Sequence, residues 1–535
     1  MIDAKVFRDR RGTLAFLFGC VAVTGGVLLH LPMFWMGRNI GFSLAGMRMD
    51  PGMIFGMYLI VAGVGIAAYG LLPSRAAHVA HAASRITVGA PEDAALSPAH
   101  WGLMVALVVA LVIDVMKPAS LGFVVPGMIS EYHATRAQAS LVPFFALIGT
   151  VTGSVLWGVL ADLYGRKASI LLSAVVFVGT SICGAMPSLA WNVFMCFLMG
   201  LGAGGMLPVT YALLAETMPS RHRGWALVLV GGLGAVGGYF AASGFSAWLV
   251  PTLSWRILWL INLPTGLILV AMGGLIPESP KFLLARGRKT EAHAVMARFG
   301  IVTREIPEGE DDEAEIIGHD YGELSYPPAT TLWTARLIGK TAALTVAAIA
   351  WGLINFGLLL WMPNDFVAKG YSMGVASKLL AASALIAFPT VFLCTYMYSR
   401  WSTKWAFTVM MALTLLGLVW VLLLERFGGN PVWPIALLII GSNGIIAIIL
   451  PYASESYPIK IRGRATGWVA ACTKAGGVIA QSLSITALIP PLGLAAAIVI
   501  VPVAIGLLLF IRFGTETRGL DLRHLERRTP VSAGR

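Results

Sequence analysis

Long uncharged runs recur along this chain from end to end, separated by short polar segments. Gly102 through Ile113 is one such run, and it continues beyond a single aspartate, Asp114. A helix needs roughly 20 apolar residues to cross a hydrocarbon layer of about 30 Å. Lipid offers no partners to backbone N–H and C=O groups, so such runs fold as helices. The pattern predicts fourteen spans, near 13–37, 52–72, 101–127, 139–160, 168–187, 191–213, 225–250, 257–276, 341–362, 379–398, 405–424, 432–453, 466–489 and 491–511. The predicted fold class is therefore an all-α polytopic membrane protein. Two spans and a linker fill 1–100, and six spans fill 101–276. A polar segment covers 277–340, six more spans fill 341–513, and a tail closes the chain at 514–535.

Composition agrees with the pattern. Hydrophobic residues make up 57% of the 535 and charged residues only 12%, about half the share in a soluble globular chain. The formal charge of +12 suggests nucleic acid only until the cations are placed. With a cytoplasmic N-terminus, seven of the 38 Lys and Arg fall in outside segments: Arg38, Arg48, Arg136, Arg256, Lys369, Lys378 and Arg426. Lys117 and Lys474 fall within spans, and the rest lie inside. That asymmetry is a topology signal, with both termini cytoplasmic in the cell membrane. The five cysteines, Cys20, Cys183, Cys196, Cys394 and Cys472, all lie in spans and read as small packing residues. The acidic run Glu308, Glu310, Asp311, Asp312, Glu313 and Glu315 reads as a solvated face.

The two six-span blocks share a repeat. Glu216, Pro219, Arg223 and Gly224 stand in the first block between its fourth and fifth spans. Glu455, Pro458, Arg462 and Gly463 stand at the matching place in the second, 239 residues on. Parallel halves related by an axis along the membrane normal are one transporter plan, with the solute site at the midplane between them.

Between the second and third spans of the first block lie Gly158, Ala161, Asp162, Gly165, Arg166 and Lys167. Glycines permit the sharp turn. Asp162 is expected near the positive N-terminal end of the next helix, with Arg166 and Lys167 on carbonyls or carboxylates of neighbouring helix ends. The cluster reads as a latch closing one side of a transporter. This G-x-L-A-D-x-x-G-R-K run resembles the signature loop of the major facilitator superfamily. Pro277-Glu278-Ser279-Pro280-Lys281 resembles the P-E-S-P-R motif of its sugar porters and organic-ion transporters, and Glu516-Thr517-Arg518-Gly519 resembles their P-E-T-K-G ending, with Thr515 replacing the proline. The resemblance implies a major facilitator fold of two six-helix halves over about 101–520, preceded by two additional helices. The second-half loop departs from the pattern: Arg400-Trp401-Ser402-Thr403-Lys404 puts Trp401 where Asp162 would be, so the latch is expected to be one-sided. Cys196 falls where the family often carries an arginine.

Ionisable groups at bilayer depth cost from about 2.5 kcal/mol upward, so each is a functional candidate. Asp114 and Lys117 are three residues apart on one helix face, before Pro118. Asp114 is the expected carrier of a coupling proton; the bland alternative is a self-neutralising Asp114–Lys117 pair. Lys474 has no local partner. Thr473-Lys474-Ala475-Gly476-Gly477 resembles a cationic site in the eleventh core helix of organic-anion transporters and bacterial aromatic-acid:proton symporters, which implies that Lys474 holds a substrate carboxylate; the alternative is that it pairs with a cavity aspartate. Gln481, Trp351, Asn355, Tyr211, Tyr239 and Asn443 are further candidate lining residues, each of a type that otherwise packs helices or hydrogen-bonds between them. The candidate gate network is Asp162, Gly165, Arg166, Lys167, Glu216, Arg223, Glu455 and Arg462. Metal clusters, nucleotide loops and nucleophile motifs are not found, so neither an enzyme nor a cofactor is expected. The expected partners are a small organic anion, protons and the bilayer, and nucleic acid is not among them. Proton-coupled export of drugs or metabolites, facilitated sugar passage and a non-transporting solute sensor stay open as alternatives.

Overall fold

The computed structural model describes residues 10–72, 88–89, 95–303, 332–334, 337–457, 459–486 and 491–518. The acidic run of residues 308–315, Gly519 and most of the 73–100 linker lie outside the described residues. Among those described, twelve helices are long and apolar enough to cross a membrane. A shorter apolar stretch, Ile257–Met272, and the helix Ile459–Ile485 occupy the two remaining predicted spans.

The two leading helices, α1 (Arg10–Leu28) and α2 (Pro51–Leu71), pack through glycine. A Cβ at Gly26 would stand 2.6 Å from the Gly56 carbonyl oxygen, and one at Gly19 2.6 Å from that of Gly63. Such close backbone approach is how helices associate where lipid removes the hydrophobic drive. Asp50 caps α2, its carboxylate accepting the Met53 N–H at 2.7 Å, as an N-cap carboxylate should.

The first half consists of α3 (Pro98–Tyr132), α4 (Leu141–Tyr164), α5 (Arg166–Gly179), α6 (Leu189–Ala203) with its continuation α7 (Met206–Thr217), α8 (Ser220–Leu253) and α9 (Asn262–Met272). Gly234, Gly237 and Gly238 let α8 lie directly on Leu111, Val112 and Val115 of α3. The leading pair covers α5, with Ile60 and Val23 against Gly179, and α5 is buried along nearly its whole apolar window. Short helices α10 (Pro280–Ala285) and α11 (Lys289–Phe299) follow, and Val302–Thr303 pairs antiparallel with Val88–Gly89.

The second half runs through α12 (Ile338–Leu353), a π-helical segment Ile354–Leu358, α13 (Leu359–Ala368), α14 (Met373–Ala387), α15 (Thr390–Tyr396), α16 (Thr403–Phe427), α17 (Val432–Ser456), α18 (Ile459–Ile485) and α19 (Leu492–Phe513). The halves touch at both ends. Gly122 of α3 would put a Cβ 2.7 Å from the Leu360 carbonyl oxygen, and the buried hydroxyls of Ser246 and Ser377 are 2.8 Å apart. At the opposite end, the one carrying the Asp162 loop, a Cβ on Gly224 would stand 2.7 Å from Glu455 Oε1.

Candidate functional site

The intramembrane charges separate into different roles. Asp114 is buried and its Oδ1 has no hydrogen-bond partner. Lys117 does not pair with it at ion-pair distance. The Lys117 ammonium instead donates to the Phe177 carbonyl at 2.9 Å and to Thr180 Oγ1 at 3.2 Å. The self-neutralising pair is thus not formed, because Lys117 reaches across to α5 and ties that helix to α3. This also argues against Lys117 as a substrate ligand: two of its three donors are taken and its side chain is fully buried. Lys117 lies within electrostatic reach of Cys196.

Lys474, half-buried on α18, is within electrostatic reach of Asp114 across the two halves. Its ammonium stands 5.1 Å from the ring centroid of Phe356, in cation–π range. Phe356 is the hub of the second-half side. Trp351 meets its ring edge-on at 5.6 Å, with its own indole N–H unpartnered. Gln481, fully buried, donates through Nε2 to the Phe356 carbonyl, leaving its Oε1 unpartnered. That carbonyl lies within the π segment, where regular helix pairing is broken and an outside donor is useful. Asn355 in the same segment has an unpartnered Nδ2.

On the first-half side Tyr239 has a buried, unpartnered hydroxyl and its ring lies 6.2 Å from Phe123. The Tyr211 hydroxyl presses on Gly231, where a Cβ would be 1.8 Å away, so glycine is required there. Asn443 is buried on α17. Buried polar groups usually find partners; here a carboxylate, an indole, an amide and a phenol are left without them.

The loop-end network has a different centre from the one expected. Arg166 pairs with Asp162 at 2.9 Å and with Glu216 at 3.2 Å, and donates to the Ala161 carbonyl at 2.8 Å. Asp162 is exposed and does not cap the next helix. Glu278 does: its Oε1 accepts the N–H groups of Arg166 at 2.7 Å, Lys167 at 3.3 Å and Ser279 at 2.9 Å. Gly165 sits at φ 102°, and a Cβ there would lie 2.5 Å from Glu278 Oε2. Burial pushes the Glu278 carboxyl above the usual range, against those hydrogen bonds and the Arg166 charge. Its chemistry was carried by the P-E-S-P motif, whose carboxylate is the only acid in that turn.

The second-half counterpart is built from hydroxyls. Glu455 accepts from Tyr398 at 2.6 Å and Thr517 at 3.2 Å. Glu516 caps α16, accepting from Thr403 N at 3.0 Å and Thr403 Oγ1 at 2.6 Å, and from Ser402. Arg518 donates to the Trp401 carbonyl at 2.8 Å. Arg223 is half-buried and engaged; the Arg462 side chain is outside the described set.

Residues 102–481 match the family model of the Major Facilitator Superfamily. The chain is 24% identical over 390 residues to the "Niacin transporter NiaP" of Acinetobacter baylyi, covering 73% of this chain and 87% of that one. It is 24% identical over 404 residues to the "Benzoate transport protein" of the same organism, covering 74% and 84%. The 4-hydroxybenzoate transporter PcaK of that organism is 28% identical over 300 residues, 54% of this chain and 63% of that one. Among solved structures, the inward-open, partially occluded xylose transporter XylE of Escherichia coli superposes with a TM-score of 0.61 at 15% identity, covering 79% of this chain and all of that one. This chain belongs to the Major Facilitator Superfamily and has its transporter fold.

Proposed function

We propose that the protein is a proton-coupled symporter that carries a small aromatic or related carboxylate across the cell membrane, both termini facing the cytoplasm. The observation that carries this reading is Asp114 with its unpartnered carboxylate oxygen, within electrostatic reach of Lys474 on the other half. Lys474 holds the substrate carboxylate, Phe356 and Trp351 stack against its ring, and Asn355, Gln481, Tyr239, Tyr211 and Asn443 line the space around it. Asp114 takes a proton when the incoming anion engages Lys474, and releases it on the other side once the anion has gone. A bound proton and a bound anion together cancel the charges that the dry interface would otherwise hold apart. Relatives named for niacin, benzoate and 4-hydroxybenzoate support the carboxylate class.

The latch of Asp162, Arg166, Lys167, Glu216, Arg223, Glu278, Glu455 and Arg462 holds the loop end shut, and the halves rock about the central site when it opens. All fourteen helices cross the membrane in this reading, α9 and α18 included. Binding competition tests the anion role. Lys474→Ala is expected to weaken nicotinate at least tenfold while leaving neutral nicotinamide unchanged; equal loss of both refutes the assignment.

A further inference from the structure

The central loop returns to the first core helix at the loop end, outside the central site, and a histidine sits in the join. His100 lies in the first turn of α3 and is 1% exposed. Its ring meets that of Phe299, the last residue of α11, edge-on at 5.2 Å. Ser97, which precedes α3, donates its N–H to His100 Nδ1 at 3.0 Å. The Ser97 hydroxyl, 2.9 Å from the same nitrogen, reaches the Arg298 carbonyl of α11 at 3.3 Å. Just past Phe299, Val302–Thr303 pairs with Val88–Gly89 of the linker from the leading helices. Ring, serine and strands thus fasten both α11 and that linker to the start of α3. Met296, Phe299 and Ile301 are buried behind the join and belong to the core of the first half.

This join fits a neutral imidazole and not a charged one. A ring nitrogen that accepts the Ser97 N–H carries no proton, so the neutral ring holds its proton on Nε2. Acid adds a second proton at Nδ1, which then points at the Ser97 N–H, and the reciprocal cap is lost. The new cation also stands at a helix N-terminus, where the backbone dipole favours anions, and out of water. Its neighbours do not offset it. The first turn of α3 carries no acid. Among the described residues, α8 brings His222 within electrostatic reach, itself beside Arg221. From α11 comes Arg298, whose guanidinium carbon is 5.6 Å from the Phe299 ring centroid. From α7 comes the Thr217 backbone, and the adjacent Glu216 is paired with Arg166 at 3.2 Å. We propose that His100 is an acid-sensitive clasp, which pins α11 and the strand pair to α3 while its ring is neutral and releases them when the ring is protonated. On the proton-coupled reading above, each turnover delivers protons to this face, and the clasp responds to what the transporter brings in.

The test uses the full-length protein in neutral detergent, without substrate or gradient, so its outcome does not depend on proton coupling. Met296→Cys reports opening, because Met296 is buried on α11, and Thr290→Cys on the exposed face of the same helix is the reference. The ratio of their maleimide labelling rates cancels the reagent's own pH dependence. A group whose neutral form is favoured in the closed state contributes stability above its ordinary value and loses that contribution as pH falls. The ratio is therefore expected to rise about fivefold or more from about pH 7.5 to about pH 5.5, across the histidine range. Uptake of one proton limits the slope to roughly tenfold per pH unit. His100→Gln keeps an acceptor for the Ser97 N–H and cannot charge, so its ratio should stay low throughout. His100→Lys is charged throughout, and its ratio should be high at both ends. A flat ratio in the parent, or a rise that survives His100→Gln, overturns the clasp; loss of that surviving rise in His222→Gln would place the sensor on α8 instead.

Discussion

Glu278 and Glu516 occupy matching positions in the two halves. Each follows its half's last helix and turns its carboxylate back onto the first N–H groups of that half's third helix, Arg166 and Lys167 in one case and Thr403 in the other. The N-terminal end of a helix is where an anion is favoured and where N–H groups lack partners. The repeat seen in sequence at Glu216 and Glu455 therefore extends to the motifs that close each half.

The two caps should titrate in opposite senses. Burial raises the Glu278 carboxyl above the usual range, so the folded chain keeps this proton to higher pH than the unfolded chain. Its contribution to stability falls as pH rises through that window, then levels off. Burial also pushes Glu516 up, but hydrogen bonds from Ser402, Thr403 and the Arg518 N–H outweigh it and hold the group below the usual range. Its contribution is present above the ordinary carboxylate value and is lost as pH falls through the lower folded value. Melting curves of the solubilised protein from about pH 3 to 8 should lose the acid-side decline in Glu516→Gln and the alkaline-side decline in Glu278→Gln. Identical pH profiles in parent and variants would remove both assignments.

Gly165→Ala should be damaging out of proportion to its size. The backbone at φ 102° excludes side chains, and the added methyl would collide with the Glu278 carboxylate at 2.5 Å. Strain of this kind costs about 1–3 kcal/mol. The expected result is a lower melting temperature together with a loop end that no longer closes, read as increased access to a thiol reagent at Ser454→Cys, introduced on α17 next to Glu455. Unchanged stability and access would show that the turn is tolerant.

Glu131 fastens the leading helices to the first half. Its carboxylate pairs with the buried Arg256 at 2.6 Å and accepts the Leu44 N–H at 2.6 Å and the Ala45 N–H at 3.1 Å, in the connection between α1 and α2. Removing one partner of a buried pair costs about 3–5 kcal/mol. Glu131→Ala is therefore expected to lower the melting temperature sharply and to speed proteolysis between residues 37 and 50. A stable variant with a protected connection would mean that the extension docks by helix packing alone.

Gln481→Leu keeps the volume of the side chain and removes its donor. The Phe356 carbonyl in the π segment would lose its outside partner, at a cost of about 1–3 kcal/mol. Substrate affinity should fall with stability, because Lys474 and Trp351 both rest on the Phe356 ring. Gln481→Glu, which keeps the shape but adds a negative charge at the Phe356 carbonyl, should weaken anion binding further.

Much of this architecture was legible in the chain. Runs of apolar residues announce spans because lipid allows few alternatives, and the E-x-x-P-x-x-x-R-G repeat announced the halves. The loop-end ion network was legible at Arg166 and Glu216, which do pair. Its centre was not: helix-dipole reasoning put Asp162 at the helix start, where Glu278, distant in sequence, arrives. Lys117 shows the same limit. Spacing of three residues puts it on the Asp114 face, but a long flexible side chain follows available acceptors, and Phe177 and Thr180 on α5 offered them. The role of Gln481 depended on a π segment that sequence periodicity does not signal. The docking of the leading helices on α5 depended on glycine contacts between elements far apart in the chain.

The most direct test of the central claim is proton entry into liposomes containing the purified protein, followed as nicotinate, benzoate, sugars and organic cations are added outside. Carboxylates alone should drive proton entry, and Asp114→Asn should abolish it while still exchanging labelled carboxylate across the membrane. Asp114→Asn that accumulates carboxylate under a pH gradient as well as the parent would contradict the account.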